Sequence, residues 1–131
     1  MARRKRISSE KGSRVPDIPE YGRIIKAPVI DPQGQLLEPH FMVIIDATEP
    51  FDCVVITGTL PANYRTDPDY VPLPWHRNPP HQETRLYKKC AAYCRWMEEV
   101  YEANIVKYAG VVPPKELRKI MERLLEIEAE Q

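Results

Sequence analysis

The chain has 131 residues, 43% of them hydrophobic and 29% charged, which is room for one ordinary globular domain with a single core. Its formal charge of zero hides an asymmetry: residues 1–14 carry Arg3, Arg4, Lys5, Arg6, Lys11 and Arg14 against Glu10 alone, leaving 13 basic and 18 acidic groups in the remainder. A net-acidic body excludes tight nonspecific binding to polyanions by overall charge, while a local basic groove remains compatible with it. No apolar run reaches the roughly 18 residues of a membrane span, and the basic start is followed by polar residues instead of the apolar stretch of a secretory signal. A cytoplasmic protein with no membrane contact is therefore expected. Cys53, Cys90 and Cys94 are odd in number and form no CxxC, which fits reduced thiols.

Residues 1–19 read as a disordered basic arm and an extended lead-in ending Val15-Pro-Asp-Ile-Pro19, and residues 20–131 as the folded domain. Gly22–Ile30 is apolar and β-branched and stops at Asp31-Pro-Gln-Gly34, which predicts a strand and a turn. Phe41–Ile45 and Cys53–Ile56 are continuous apolar runs a short distance apart, which predicts two adjacent antiparallel central strands. Between Leu60 and His81 stand six prolines; that density predicts no regular element there, and the aromatic content predicts a folded loop. Leu86–Tyr101 supports two periods at once. Leu86, Cys90, Tyr93, Cys94, Met97 and Val100 fit a helical face, while Ala92, Cys94 and Trp96 fit one face of a strand.

Ile105–Val112 reads as a short strand ending on Pro113-Pro114. Beyond it Leu117, Ile120, Met121, Leu124 and Ile127 recur at spacings of three and four, with charged residues between them, predicting an amphipathic helix over 114–129. Pro114 suits its first turn, where the missing N–H would be unpaired anyway. The fold class is mainly β with a C-terminal α-helix.

Among chemistry-bearing residues, Arg65, Trp75, His76 and Arg77 combine cations with an aromatic ring, as a surface for a single nucleic-acid strand does, and loop packing is the competing reading. A zinc site from Cys90, Cys94, His76 and His81 lacks finger-like spacing, so neither a metal nor a cofactor is expected. There is no G-x-x-x-x-G-K, G-x-G-x-x-G or G-x-S-x-G, so nucleotide-binding and hydrolase readings have no support.

The order of these pieces resembles the MazF/PemK family of toxin-antitoxin ribonucleases over about Gly22 to Ile127. A glycine opens strand one; Glu38-Pro39 leads into the apolar strand through Ile45; Val54-Val-Ile-Thr57 ends on threonine. Gly110-Val-Val-Pro-Pro-Lys-Glu-Leu117 is similar to the family's Gly-x-Val-x-Pro-x-x-Leu approach to its last helix, and Leu73-Pro74-Trp75 followed by Thr84-Arg-Leu86 is similar to longer PemK-like members. The resemblance implies a small SH3-like β-barrel of the MazF/PemK/CcdB type and favours strand over helix for much of Leu86–Met97. It further implies a metal-independent endoribonuclease acting on single-stranded mRNA, a cognate antitoxin and a homodimer.

In that chemistry a base takes the ribose 2′-OH proton and a cation stabilises the attacked phosphate. The family threonine carries over to Thr57, with Thr59 as the alternative register one strand step on. The family arginine stands here as Glu38, a carboxylate that can act as a base but repels phosphate. His40, two residues on, has a suitable side chain for acid–base work. The alternative reading is a catalytically inactive barrel that binds RNA or, as the CcdB toxin does, a protein partner.

Overall fold

A computed structural model describes residues 16–30 and 33–131; the basic arm expected over residues 1–14 lies outside the described residues. Six strands and one long helix follow in order: β1 Arg23–Ile30, β2 Leu36–Asp46, β3 Phe51–Thr57, β4 Tyr70–Pro72, β5 Ala91–Val100, β6 Lys107–Val111 and α1 Pro114–Ala129, with a 3₁₀ turn at Glu102–Asn104. The strands form one antiparallel sheet in the order β4-β5-β3-β2-β1-β6. The protein is thus mainly β with a C-terminal helix.

The central stretches of the inner strands, Ile24–Ile25, Met42–Ile44 and Cys53–Ile56, are continuously apolar because both faces of the sheet are covered there. Ile24, Val43, Val54 and Ile56 enter one core with Leu117 and Ile120 of α1. Their strand neighbours Ile25, Ala27, Val29, Met42, Ile44, Cys53 and Val55 enter a second core with Phe51 and Val100. Gly22, at φ +85°, opens β1 where Leu117 packs: a Cβ there would stand 3.0 Å from Leu117 Cδ2, so the start of the strand and the start of the helix share one contact that suits glycine.

The double periodicity of Leu86–Tyr101 has a structural cause. The segment holds a strand, β5, whose register against β3 jumps from Val54↔Met97 to Ile56↔Ala92, so five steps of β5 oppose two of β3. Across this bulge the side-chain phase reverses: Ala92 and Cys94 join the helix-side core, and Trp96, two residues further on, packs against the other. A strand that changes phase at a bulge mimics helical spacing.

The proline-rich stretch departs from expectation by containing β4. It is three residues long and lies at a sheet edge, where Pro72 ends it without costing the interior a ladder bond. The rest is a folded loop that buries Tyr64, Leu73 and Thr84. The Thr84 hydroxyl donates to Pro74 O at 2.8 Å and accepts the Leu86 N–H at 3.1 Å. The loop also bridges the two sheet edges. It continues directly from β4 and is closed on itself by the N–H groups of Leu73 and His76 donating to Cys90 O and Leu86 O, and the Gly110 and Val111 N–H groups of β6 donate to its Thr84 O and Glu83 O.

Asp69 ties β5 and α1 to the turn before β4. Its carboxylate receives Arg123 at 2.7 and 2.8 Å and Arg95 at 3.2 Å, and Arg95 continues to Glu130 at 3.0 Å. Burial pulls this carboxyl upward, and the hydrogen bonds from Arg123 and Arg95 outweigh it, holding it below its ordinary value of 3.8. A depressed carboxyl stabilises the fold above its ordinary pKa and stops doing so as the pH falls through the folded-state value. Asp69→Asn is expected to lower Tm by about 5 °C at neutral pH, and the gap to wild type to close below pH 3.8. Thermal denaturation followed by circular dichroism at both pH values checks this; an equal gap at both would show that the charge is not what stabilises.

Candidate functional site

The ladder between β2 and β3 runs from Asp46–Asp52 to Met42–Val55 and goes no further. β2, however, continues outward to Leu36 in pairing with β1 alone. Where the two strands part, a cleft of about 200 Å³ opens between Pro39, His40 and Phe41 on one side and Ile56 and Gly58 on the other. Its remaining wall is Leu86–Cys90, and Lys26 of β1 reaches it as well.

The cleft is basic and aromatic. Lys26, Lys88 and Lys89 line it with no carboxylate among the lining residues, so the local charge opposes the net-acidic body. Lys26 Nζ lies 5.1 Å from the Phe41 ring centroid, Lys88 Nζ 5.9 Å from Tyr87, and Lys89 Nζ 6.0 Å from Tyr64, each within reach of a cation–π attraction. Phe41 and Tyr87 meet edge to face at 6.5 Å. These contacts hold three flexible cations over rings instead of in ion pairs, and among the described residues none of the three has an acidic partner.

His40 is half-buried beside the cleft and lies on the opposite face of β2 from Phe41, since it pairs with Ala27 of the second core while Phe41 pairs with Lys26. Its ring packs 5.3 Å from Trp96, and Nδ1 lies 2.9 Å from the Glu38 carbonyl oxygen. A carbonyl only accepts, so Nδ1 carries the hydrogen, and in the neutral ring Nε2 keeps the lone pair. Glu38 itself is exposed on β2 and does not line the cleft; its backbone orients His40 while its carboxylate stands outside.

Thr57 closes β3 opposite Ala91; it stands in the chain between the cleft residues Ile56 and Gly58 but does not itself line the cleft. Its Oγ1 accepts the Thr59 N–H at 3.0 Å, which leaves the hydroxyl hydrogen free to donate. Thr59 is exposed beyond it.

The loop residues are not brought together with these. Arg65 stacks 5.2 Å from Tyr64 and borders a separate groove with Lys119, Glu122 and Arg123 of α1. Trp75, His76 and Arg77 are exposed in the strap between the sheet edges, and none of them lines the cleft. His76 Nδ1 is occupied by Pro79 O at 2.7 Å, and His81 Nδ1 accepts the N–H groups of Glu83 and Thr84 at 3.2 and 3.3 Å, so both histidines serve loop geometry. The thiols of Cys90 and Cys94 are pushed up by burial to about 11 and about 12, and Cys53 by burial and the charges of Asp52 and Glu98 to about 12. All three stay protonated at neutral pH and behave as core residues. Among the described residues no group of three or more His, Cys, Asp or Glu stands together as a metal site.

Sequence reasoning missed Lys26, Phe41, Tyr87, Lys88 and Lys89 as site residues. The triplet Tyr87-Lys88-Lys89 was the available local signal; the inclusion of Lys26 and Phe41 depends on the β1–β2 register alone. No protein-family model and no curated protein matches this chain, so the reading of the site rests on its own geometry.

Proposed function

We propose that the protein is a ribonuclease for single-stranded RNA of the MazF/PemK-like toxin kind, built on an SH3-like barrel. The carrying observation is the convergence of Lys26, Lys88 and Lys89 with the Phe41 and Tyr87 rings on a cleft free of carboxylates, which His40 borders. Cations that follow a phosphate backbone beside rings for unstacked bases are what a single strand requires. Two features support the barrel: the 73–90 strap, which follows β4 in the chain, is hydrogen-bonded to β6 at the other sheet edge, and Gly110 stands where that strap crosses β6, opening the stretch that resembles the family.

In this reading His40 Nε2 takes the proton of a ribose 2′-OH, the 2′ oxygen attacks the adjacent phosphorus, and the P–O5′ bond breaks, the 5′ oxygen leaving as a hydroxyl with a proton from water and the RNA keeping a 2′,3′-cyclic phosphate. The Thr57 hydroxyl donates to a phosphate oxygen, and the lysines stabilise the charge that develops there. They supply the positive field that Glu38 does not. A cytoplasmic location, a cognate antitoxin and a homodimer belong to the same proposal. One observation favours a second reading, a barrel that binds RNA without cutting it: Glu38 stands where the family has arginine.

The test incubates the purified protein with single-stranded RNA in EDTA. Cleavage leaving a cyclic phosphate is expected, slowed by about 100-fold or more in His40→Gln and also slowed in Thr57→Ala. Binding without cleavage establishes the second reading, and cleavage unaffected by either substitution overturns the mechanism.

A further inference from the structure

Lys26 and Lys107 stand directly opposite each other on β1 and β6, and Phe41 stands opposite Lys26 on β2. Residues paired across an antiparallel ladder point to one face with Cβ atoms about 5 Å apart, so three strands present a row of Phe41, Lys26 and Lys107. Like charges facing each other in this way repel, and among the described residues neither lysine has an acidic partner. An anion placed between them would relieve that repulsion.

The row crosses a boundary. Lys26 lines the cleft, Lys107 lines a larger groove of about 730 Å³, and Phe41 and Tyr87 border both. The larger groove adds Arg85, whose backbone is held at φ +63°, a conformation unfavourable for a residue with a side chain and concentrated at functional positions. Arg23 also lines it and is occupied, donating to Ala109 O at 2.9 Å and to the Asp17 carboxylate at 3.4 Å. Glu83 is the remaining acid, so Arg85 and Lys107 leave this wall with a positive surplus.

We propose that cleft and groove form one track for a single RNA strand, which passes over the Phe41–Tyr87 ridge with one backbone phosphate held between Lys26 and Lys107 and the next engaged by Arg85. This rests on the RNA reading of the cleft and extends it to a second subsite.

Fluorescence anisotropy with oligouridylates of about three and about eight nucleotides tests it. Wild type is expected to bind the longer strand at least about tenfold more tightly. Arg85→Asn, asparagine being tolerant of the left-handed backbone, is expected to remove most of that advantage while leaving the short strand, which the cleft and the Lys26–Lys107 pair hold, within about twofold. The slope of log affinity against log salt for the long strand is expected to become shallower by about 0.7, the value of one phosphate contact. Equal loss on both strands, or no loss on either, overturns the track. Wild type that binds both lengths equally defeats the track and leaves the cleft reading standing; wild type that binds neither defeats both.

Discussion

Gly110→Ala is expected to destabilise the protein by about 3 kcal/mol or more and to lower its melting temperature by roughly 10 °C. A Cβ at Gly110 would fall 1.8 Å from Glu83 O and 2.7 Å from the carbonyl carbon of Thr84. Both obstacles are backbone, so no rotamer change makes room and the strap itself must lift. Lifting it breaks the bonds from the Gly110 and Val111 N–H groups to Thr84 O and Glu83 O, and draws on Thr84, which is fully buried and holds Pro74 and Leu86. Thermal denaturation gives the magnitude, and hydrogen exchange gives the location: the Gly110 and Val111 amides are expected to lose protection ahead of the β2–β3 ladder. An alanine variant with wild-type stability would show that strap and β6 do not approach as closely as this.

Lys26→Glu is expected to weaken binding of single-stranded RNA by about 100-fold while leaving the fold intact or slightly more stable. The substitution reverses charge at the middle of the Phe41–Lys26–Lys107 row, so a phosphate that met two cations meets a carboxylate already paired with Lys107. For the fold the sign is opposite, because a like-charge pair across β1 and β6 becomes an attractive one, a gain of about 0.5 kcal/mol. Affinity and melting temperature measured on one sample therefore separate binding from folding. Affinity that is unchanged, or that falls only together with the melting temperature, would remove Lys26 from the site.

The opposed expectations for Gly110 and Lys26 reflect how differently the two were legible. Gly110 stood out in the sequence as the start of the Gly-x-Val-x-Pro-x-x-Leu stretch, but the requirement for glycine there comes from the backbone of Glu83 and Thr84 passing over it, a contact between segments about 26 residues apart in the chain. Lys26 gave no signal, since a lysine in an apolar strand is ordinary, and its meaning comes from the residues opposite it. Short-range strand order brings His40 to the border of the cleft and Thr57 next to it in the chain, while neither Thr57 nor Thr59 lines it. Arg65, Trp75, His76 and Arg77 do not, because the prolines that made their loop conspicuous also carry it across the sheet edges and away from the point where β2 and β3 part.

What the sequence determined by itself was local. The helix Pro114–Ala129 has the bounds its periodicity predicts, since a 3.6-residue repeat and a proline at its first turn act within a few residues. The β1, β2 and β3 runs are strands for the same kind of reason, apolar and β-branched side chains buried on both faces. The tertiary structure decided the rest. Whether Leu86–Tyr101 was helix or strand depended on a bulge against β3, and whether prolines allowed a strand at Tyr70–Pro72 depended on its place at a sheet edge. The cleft depended on where one ladder ends while its neighbour continues. Those outcomes are set by pairing between distant segments, which residue periodicity does not encode.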